Sequence, residues 1–476
     1  MPYENSLKKP LEFLARHWFV FLPLLVLALG LPNLGERPYR FEEGRRIVQA
    51  LAIHDGGSWW RLETFGIDYL FKPPMLPWII ELWGRLLGGI GETAARMSGL
   101  LAVAGGAATA GWLAFRIAPE RARVAALAAG ATFLASQTVF ARIRLAETDA
   151  LATALVAAAF LVWALARLSN RTGILTWAGV ALFFSAALMT KGPAPLLFPL
   201  AAMVALPLAE RRWGELAALG ATLGVSALPI AYWLYVNADT TSTTEVAGIV
   251  RLTTTEADSA WTYLKLSSES LAKGVLQSMP AAAIAAIWII RTKAWRRSSQ
   301  PPMNHALFLY AVPVSIFILV WPYSEGRYAM PAIWPLAVMA GLWIASAWDR
   351  RGVATMLAAF LIAFVGIQSA QIALAGRTDA QIAQRRAATA LSDAFAELPP
   401  GKALLLTLQD YNRYAYIGRN AIWIEASDLD CPPPGPFLLA EDVSAHLPDP
   451  ARWEQIERIE AAGTTLFRRI ENEPGC

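Results

Sequence analysis

The chain has 476 residues, of which 56% are hydrophobic and only 16% charged. A soluble chain of this length would carry about a quarter charged residues, so the shortfall argues against a chain built of ordinary soluble domains and against disorder. Two cysteines exclude a disulfide scaffold and a Cys-rich metal protein, and 41 Lys+Arg against 37 Asp+Glu leave a net charge of +4, too small a global excess to indicate nucleic-acid binding.

Crossing a hydrocarbon layer of roughly 30 Å takes about 20 apolar residues. Eleven runs qualify, near 17–34, 95–115, 123–140, 149–166, 174–190, 193–209, 215–236, 274–290, 305–322, 328–348 and 353–373. The first is not expected to be a cleaved leader, because no small-residue cleavage site follows it. A further run, 75–90, is short, holds Glu81 and Arg85, and begins in the cluster Pro73-Pro74-Met75-Leu76-Pro77. If it does not span, alternate loops hold sixteen Lys and Arg, among them Lys8, Arg16, Arg121, Arg123 and Arg350. The opposite short loops hold only Arg142, Arg144, Lys191 and Arg327. That asymmetry follows the positive-inside rule, and a spanning 75–90 would break it. The run therefore reads as an amphipathic helix in the interface, carrying Trp78 and Trp83. The N-terminus is then expected in the cytoplasm, with 35–94, 141–148, the surroundings of 191, 237–273, 323–327 and 374–476 outside.

After 373 the chain turns polar. A helical stretch, Asp379–Glu397, precedes short β-like runs at 403–408 and 421–424, separated by Pro- and Gly-rich turns. The expected fold class is an all-α polytopic membrane protein. It has about eleven spans and interfacial helices in the first outer loop (residues 1–373), plus a small α/β outer-face domain (374–476). Cys431 and Cys476 both fall in that domain, where an oxidising compartment permits a disulfide.

Charged side chains concentrate in the outer loops. The first reads Tyr39-Arg40-Phe41-Glu42-Glu43-Gly44-Arg45-Arg46, and some way on comes Tyr69-Leu70-Phe71-Lys72-Pro73-Pro74. The second reads Ala141-Arg142-Ile143-Arg144-Leu145-Ala146-Glu147-Thr148-Asp149. Lys191-Gly192-Pro193 joins two spans, and Ser324-Glu325-Gly326-Arg327-Tyr328 opens another. Ionisable groups at the hydrocarbon edge are costly unless paired or hydrated. Their collection at one face implies a polar cavity at the outer mouth of the helix bundle. Carboxylates there suit proton abstraction, Arg forks and Lys point charges suit phosphate, and together they suit a lipid-phosphate substrate.

Each residue alone has a plainer reading. Glu42 and Glu43 are ordinary loop acids, and Arg45 and Arg46 pair with them or with head groups. Lys72 and Lys191 snorkel, and Asp149 caps a helix. Trp261, Tyr263 and Tyr323 read as belt aromatics. The four His residues lack companions at metal-ligand spacing, so no metal and no cofactor are expected.

Taken in order, the motifs resemble the membrane glycosyltransferases that use polyprenyl-phosphate sugars. These form the GT-C superfamily of aminoarabinose lipid A transferases and protein O-mannosyltransferases. Glu42-Glu43-Gly44-Arg45-Arg46 stands where that family has an Asp-Glu-x-Arg-Tyr-like motif. Phe71-Lys72-Pro73-Pro74 matches its aromatic-Lys-Pro-Pro, and Ala141-Arg142 through Glu147-Thr148-Asp149 its second-loop motif. Thr190-Lys191-Gly192-Pro193 and Arg327-Tyr328-Ala329-Met330-Pro331 match two more, over roughly residues 35–340. The resemblance implies inverting transfer of a sugar from a polyprenyl phosphate such as undecaprenyl phosphate, in a bacterial inner membrane. The acceptor is lipid A or another envelope lipid or glycan, with membrane lipids around it and no nucleic acid. The catalytic carboxylates are Glu42 or Glu43, assisted by Asp149 or Glu147. Arg45, Lys72, Lys191 and Arg327 hold the donor phosphate, and Tyr69 and Tyr328 contact substrate. A departure is Glu42 for the family's Asp, the same charge one methylene further out. Two rival classes are a flippase of lipid-linked sugars and a membrane scaffold whose outer domain does the work. A flippase would show inverted repeats and midplane polar groups.

Overall fold

The computed structural model describes residues 2–118, 120–238, 259–296, 302–320, 325–396, 403–406, 411–417, 421–423, 437–441, 448–450 and 452–470. Tyr323, Cys431 and Cys476 lie outside the described residues. The chain forms two compact units. The first comprises Met1–Pro32, Phe71–Met75 and Ser98–Gln371, and the second Asn33–Leu70, Leu76–Met97 and Ile372–Cys476.

A helix lies on each of the eleven apolar runs. Among the described residues, six helices are long and apolar enough to cross a membrane: Glu92–Ile117, Thr148–Leu168, Ile174–Lys191, Trp213–Val236, Gly326–Ser346 and Val353–Leu374. Ala122–Ala135, Ala194–Ala209 and Pro302–Ile318 are shorter apolar helices. Two further pairs are sharply bent, Ser6–Arg16 with Trp18–Gly30 by 94° and Trp261–Gln277 with Ala281–Thr292 by 92°. By length and composition this makes six spans, or up to eight if each bent pair is one.

The second bend falls inside the run 274–290, which the sequence reads as a single span. The helix Ala260–Gln277 occupies residues expected in a loop and ends at Ser278, and Pro280 opens the next. Proline has no N–H to lose at a helix start. The following helix, Ala281–Thr292, has only 12 residues, roughly 18 Å, too short to cross alone.

Lipid tails supply no hydrophobic force between helices, so close van der Waals contact must hold the first unit together. Small residues allow it. A Cβ on Gly341 would stand 2.6 Å from the Ala125 carbonyl oxygen and 2.7 Å from the Ala129 Cβ. The helices Met330–Ser346 and Ala122–Ala135 therefore approach backbone to backbone. Deeper in, the Phe160 ring packs 5.0 Å from Tyr310 and 6.0 Å from Trp334. The Trp334 indole N–H donates to Thr109 Oγ1 at 3.0 Å, so this polar edge is satisfied without water. Arg144 donates to the Leu29 carbonyl at 3.3 Å and the Pro32 carbonyl at 2.7 Å, closing the carboxyl end of Trp18–Gly30.

The second unit carries a five-stranded sheet in the order β4-β3-β5-β7-β6. Its strands are β3 (Ala403–Leu406), β4 (Ala421–Trp423), β5 (Phe437–Glu441), β6 (Trp453–Ile459) and β7 (Thr464–Arg469). A two-residue pair, β1 (Glu63–Thr64) and β2 (Ile67–Asp68), precedes them in the chain. β3 runs parallel to β4 and β5, while β7 pairs antiparallel with β5 and β6. Leu404, Leu438, Ala440, Trp453 and Phe467 fill its core. The helix Asp379–Ala396 buries Ala387, Ala388 and Leu391.

The same unit holds the first loop. Tyr39 stacks on Tyr416 at 4.7 Å, its N–H donates to the Tyr416 hydroxyl at 3.2 Å, and Gln384 donates to its carbonyl at 2.7 Å. The ambiguous run 75–90 is the 13-residue helix Met75–Leu87, roughly 20 Å long, which buries Leu76, Ile80 and Glu81 along one face. Buried Glu81 is held by Arg85 at 2.6 Å and His54 at 2.8 Å. That one-sided burial is what an interfacial helix requires.

Candidate active site

In the first unit, three stretches remote in sequence converge at helix ends. Asp149 is the second residue of Thr148–Leu168, and Lys191 is the last of Ile174–Lys191. Each sits where the helix dipole favours its sign, an acid in a first turn and a base in a last turn. The two form a largely buried ion pair. The helix bearing Lys191 stops there because Gly192 adopts φ +72°, and its N–H donates back to the Leu188 carbonyl at 2.8 Å. Gly followed by Pro193 is thus a chain-reversal signal that pins Lys191 at the terminus.

Glu147 stands just before that helix, two residues ahead of Asp149, with Arg142 at 3.1 Å and Arg327 at 3.7 Å. Arg327 also holds Glu325 at 2.7 Å. The Tyr328 ring lies 4.7 Å below the Lys191 ammonium and 5.8 Å from the Arg327 guanidinium. A cation over an aromatic face gains about 0.5–2 kcal/mol. Three bases and three acids therefore share one patch. Glu147, Asp149, Lys191, Arg327 and Tyr328 are brought together as the loop reading expected. Lys72 is half-buried and belongs to the same unit.

In the second unit the two adjacent glutamates part company. Glu43 is 0% exposed and accepts a two-pronged contact from Arg96, both prongs at 2.9 Å. Arg96 spends its remaining donors on the Leu34, Arg37 and Pro38 carbonyls. This is a buried, fully engaged fork that ties the loop to the start of the Glu92–Ile117 helix. Glu42, whose side chain is 35% exposed, meets Arg45 at 3.1 Å and Arg46 at 3.8 Å. Arg46 reaches the Tyr69 hydroxyl at 3.1 Å, and Arg45 lies over the Tyr69 ring at 5.6 Å.

The turn before Glu42 is strained. Phe41 sits at φ +56°, a left-handed conformation that costs a bulky residue of order 1 kcal/mol or more. Asn412 clamps it: its amide N–H donates to the Phe41 carbonyl at 2.9 Å, and its carbonyl accepts from the Gly44 N–H at 3.0 Å. Burial, followed by the nearby charge of Glu92, pushes the hydroxyl pKa of both Tyr39 and Tyr416 upward.

Sequence reasoning missed Arg96 and Asn412. Arg96 had one signal, a lone base at the mouth of an apolar run. Asn412 had none, since its partners are more than 360 positions away in the chain.

A family model described as dolichyl-phosphate-mannose-protein mannosyltransferase matches residues 71–235. Among solved structures, ArnT from Cupriavidus metallidurans bound to undecaprenyl phosphate superposes with a TM-score of 0.73 at 15% identity, covering 95% of this chain and 98% of that one. This is a GT-C fold. The archaeal oligosaccharyltransferase AglB from Archaeoglobus fulgidus shares the fold more distantly, with a TM-score of 0.56 at 13% identity over 90% of this chain and 70% of that one. An undecaprenyl phosphate-alpha-4-amino-4-deoxy-L-arabinose arabinosyl transferase 2 of Pseudomonas fluorescens is 28% identical over 357 residues, 70% of this chain and 55% of its own. A transferase of the same name, without the number, from Pseudomonas paraeruginosa is 29% identical over 349 residues, 68% of this chain and 57% of its own. The chain thus spans a little over half the length of these curated relatives. The GT-C resemblance carried by the loop motifs holds, and with it the multi-pass membrane character of the chain.

Proposed function

We propose that the protein is an inverting glycosyltransferase that takes its sugar from undecaprenyl phosphate or a similar polyprenyl phosphate. The observation that carries this is the convergence of Arg142, Glu147, Asp149, Lys191, Arg327 and Tyr328 at the ends of apolar helices of a GT-C fold. The names of the relatives make 4-amino-4-deoxy-L-arabinose the first sugar to test. Lipid A or another envelope glycan is the acceptor class.

Glu42 is the candidate base, because it keeps solvent access while Glu43 is sealed against Arg96. Its carboxylate removes the proton of an acceptor hydroxyl, or orients an acceptor that is already an ionised phosphate. The acceptor oxygen then forms its bond to the anomeric carbon as the bond to the lipid phosphate breaks on the opposite face. The electron pair leaves on the phosphate oxygen. Lys191 and Arg327 stabilise that charge, with Lys72 and Arg45 as further phosphate contacts. Arg327 suits the role because the nearer of its two acids, Glu325, is 54% exposed and exchangeable for a phosphate, while Glu147 at 3.7 Å keeps the guanidinium in place. Asp149 holds Lys191 in place, Glu147 does the same for Arg142 and Arg327, and Tyr69 and Tyr328 contact substrate. The N-terminus is cytoplasmic and residues 374–476 are periplasmic in this reading.

The test is reconstitution in proteoliposomes with a radiolabelled sugar on undecaprenyl phosphate and with lipid A. Label should move to the acceptor with release of undecaprenyl phosphate, and Lys191→Met should abolish transfer. Donor that crosses the bilayer uncleaved would replace this reading with a flippase.

A further inference from the structure

A polar hollow lies in the first unit, away from the Asp149–Lys191 patch. It encloses about 430 Å³ and is lined by Glu12, Arg16, Arg121, Arg123, Phe115 and Trp348 among others. Its residues come from three separate stretches: the amphipathic N-terminal helix, the facing ends of the helices Glu92–Ile117 and Ala122–Ala135, and the residues just past the helix that begins at Gly326. That last helix fixes where the hollow is. Arg327 stands at one end and Trp348 just past the other, and its 21 residues span about 30 Å, one hydrocarbon thickness. The hollow and the Asp149–Lys191 patch therefore belong to opposite faces of the membrane.

Its chemistry is that of an anion site with an apolar floor. Three guanidinium groups face one carboxylate, Glu12, which already accepts from the Trp348 indole N–H at 3.2 Å. Arg121 pairs with exposed Asp349. Among the described residues, Arg16 and Arg123 make no ion pair. The helix Ala122–Ala135 starts here without a side-chain cap, so its dipole adds positive charge. Phe115, Val124 and Trp348 supply apolar surface beside these bases. Scattered positive-inside charges need neither a hollow nor unpaired bases gathered from distant stretches.

We propose that this hollow binds the phosphate-bearing head group of an anionic phospholipid, in the leaflet opposite the candidate active site. The phosphate takes Arg16 and Arg123, and the glycerol and first acyl carbons lie on Phe115 and Trp348. Basic pockets among membrane helices recognise such head groups, each base adding roughly fivefold, so the pair adds roughly thirtyfold.

The experiment uses the full chain, purified and stripped of lipid in neutral detergent. Native mass spectrometry then follows titration with phosphatidylglycerol and, separately, phosphatidylcholine. The expected result is a clear phosphatidylglycerol preference in the wild type that falls roughly thirtyfold in R16A/R123A. Glu12→Gln, which keeps an acceptor for Trp348, should strengthen binding roughly fivefold. Thermal melts in neutral detergent alone should coincide for the three proteins. Equal binding of the two lipids by the wild type, or an unchanged preference in R16A/R123A with no gain in E12Q, overturns the proposal. A parallel melt with inorganic phosphate separates the sources. Stabilisation of the wild type by millimolar phosphate equal to that by phosphatidylglycerol would mean a soluble anion site and would overturn the lipid assignment.

Discussion

Replacing Glu43 and Glu42 in turn by Gln should separate architecture from chemistry at two adjacent positions. Glu43→Gln removes one charge from a pair in which Glu43 is 0% and Arg96 1% exposed. Gln can occupy one prong of the Arg96 fork but cannot neutralise it, and the three carbonyls that share Arg96 carry only partial charge. Breaking a buried pair from one side costs about 3–5 kcal/mol. At about 2–4 °C per kcal/mol for a domain of 150–250 residues, melting should fall by roughly 6–20 °C. Glu42→Gln weakens a contact to Arg45 at the surface, 24% and 35% exposed, worth about 0.2–1 kcal/mol after screening, and a longer one to Arg46 at 3.8 Å. Its melting should shift by no more than a few degrees. Loss of a general base should cut the transfer rate by about 10²–10⁴-fold. The assay is a thermal melt of each purified variant beside its transfer rate in proteoliposomes. An undisturbed melt for Glu43→Gln together with full activity for Glu42→Gln would refute both assignments at once.

Three further outcomes follow from the same geometry. Lys191→Met leaves Asp149 buried and unpaired and should cost about 3–5 kcal/mol, whereas D149N/K191M should be milder than that single change, with a coupling of about 1–3 kcal/mol in a double-mutant cycle; additive losses would mean that the pair is not coupled. Gly192→Ala should lower stability by about 1 kcal/mol or more purely through its φ of +72°, since an added Cβ meets nothing within 4 Å; an unchanged melt would count against the helix-stop argument. Tyr39 and Tyr416 hold their protons to higher pH when folded than the ordinary value of about 10, so the stability they contribute is whole below about pH 10 and is lost as pH rises through their raised folded values. Melts from pH 8 to 12 should decline on the alkaline side, less steeply in Tyr416→Phe, and parallel slopes for the two proteins would contradict the assignment.

Much of the membrane unit was legible because apolar length is a local signal. Bends and partners were not. The run 274–290 is apolar on both sides of Ser278, so hydropathy passes smoothly over a 92° turn that only packing and Pro280 reveal. The five motifs were readable as an ordered set, and three of them meet in one patch as their spacing at helix ends suggested. Glu42 and Glu43 were not separable, since both are acids at the mouth of a helix. One step along a helix turns a side chain by about 100°, and here that step divides solvent from the Arg96 fork. The fork itself joins residues 53 positions apart, a distance at which no periodicity reports.

Asn412 belongs to the polar tail of the chain, yet it grips the main chain on both sides of Glu42. The tail is therefore part of what shapes the first loop. A gene shortened before codon 372 would still encode, among the described residues, every helix long enough to cross the bilayer except the last few residues of one. The left-handed bend at Phe41 would lose what braces it, and the acid beside it would be free to wander.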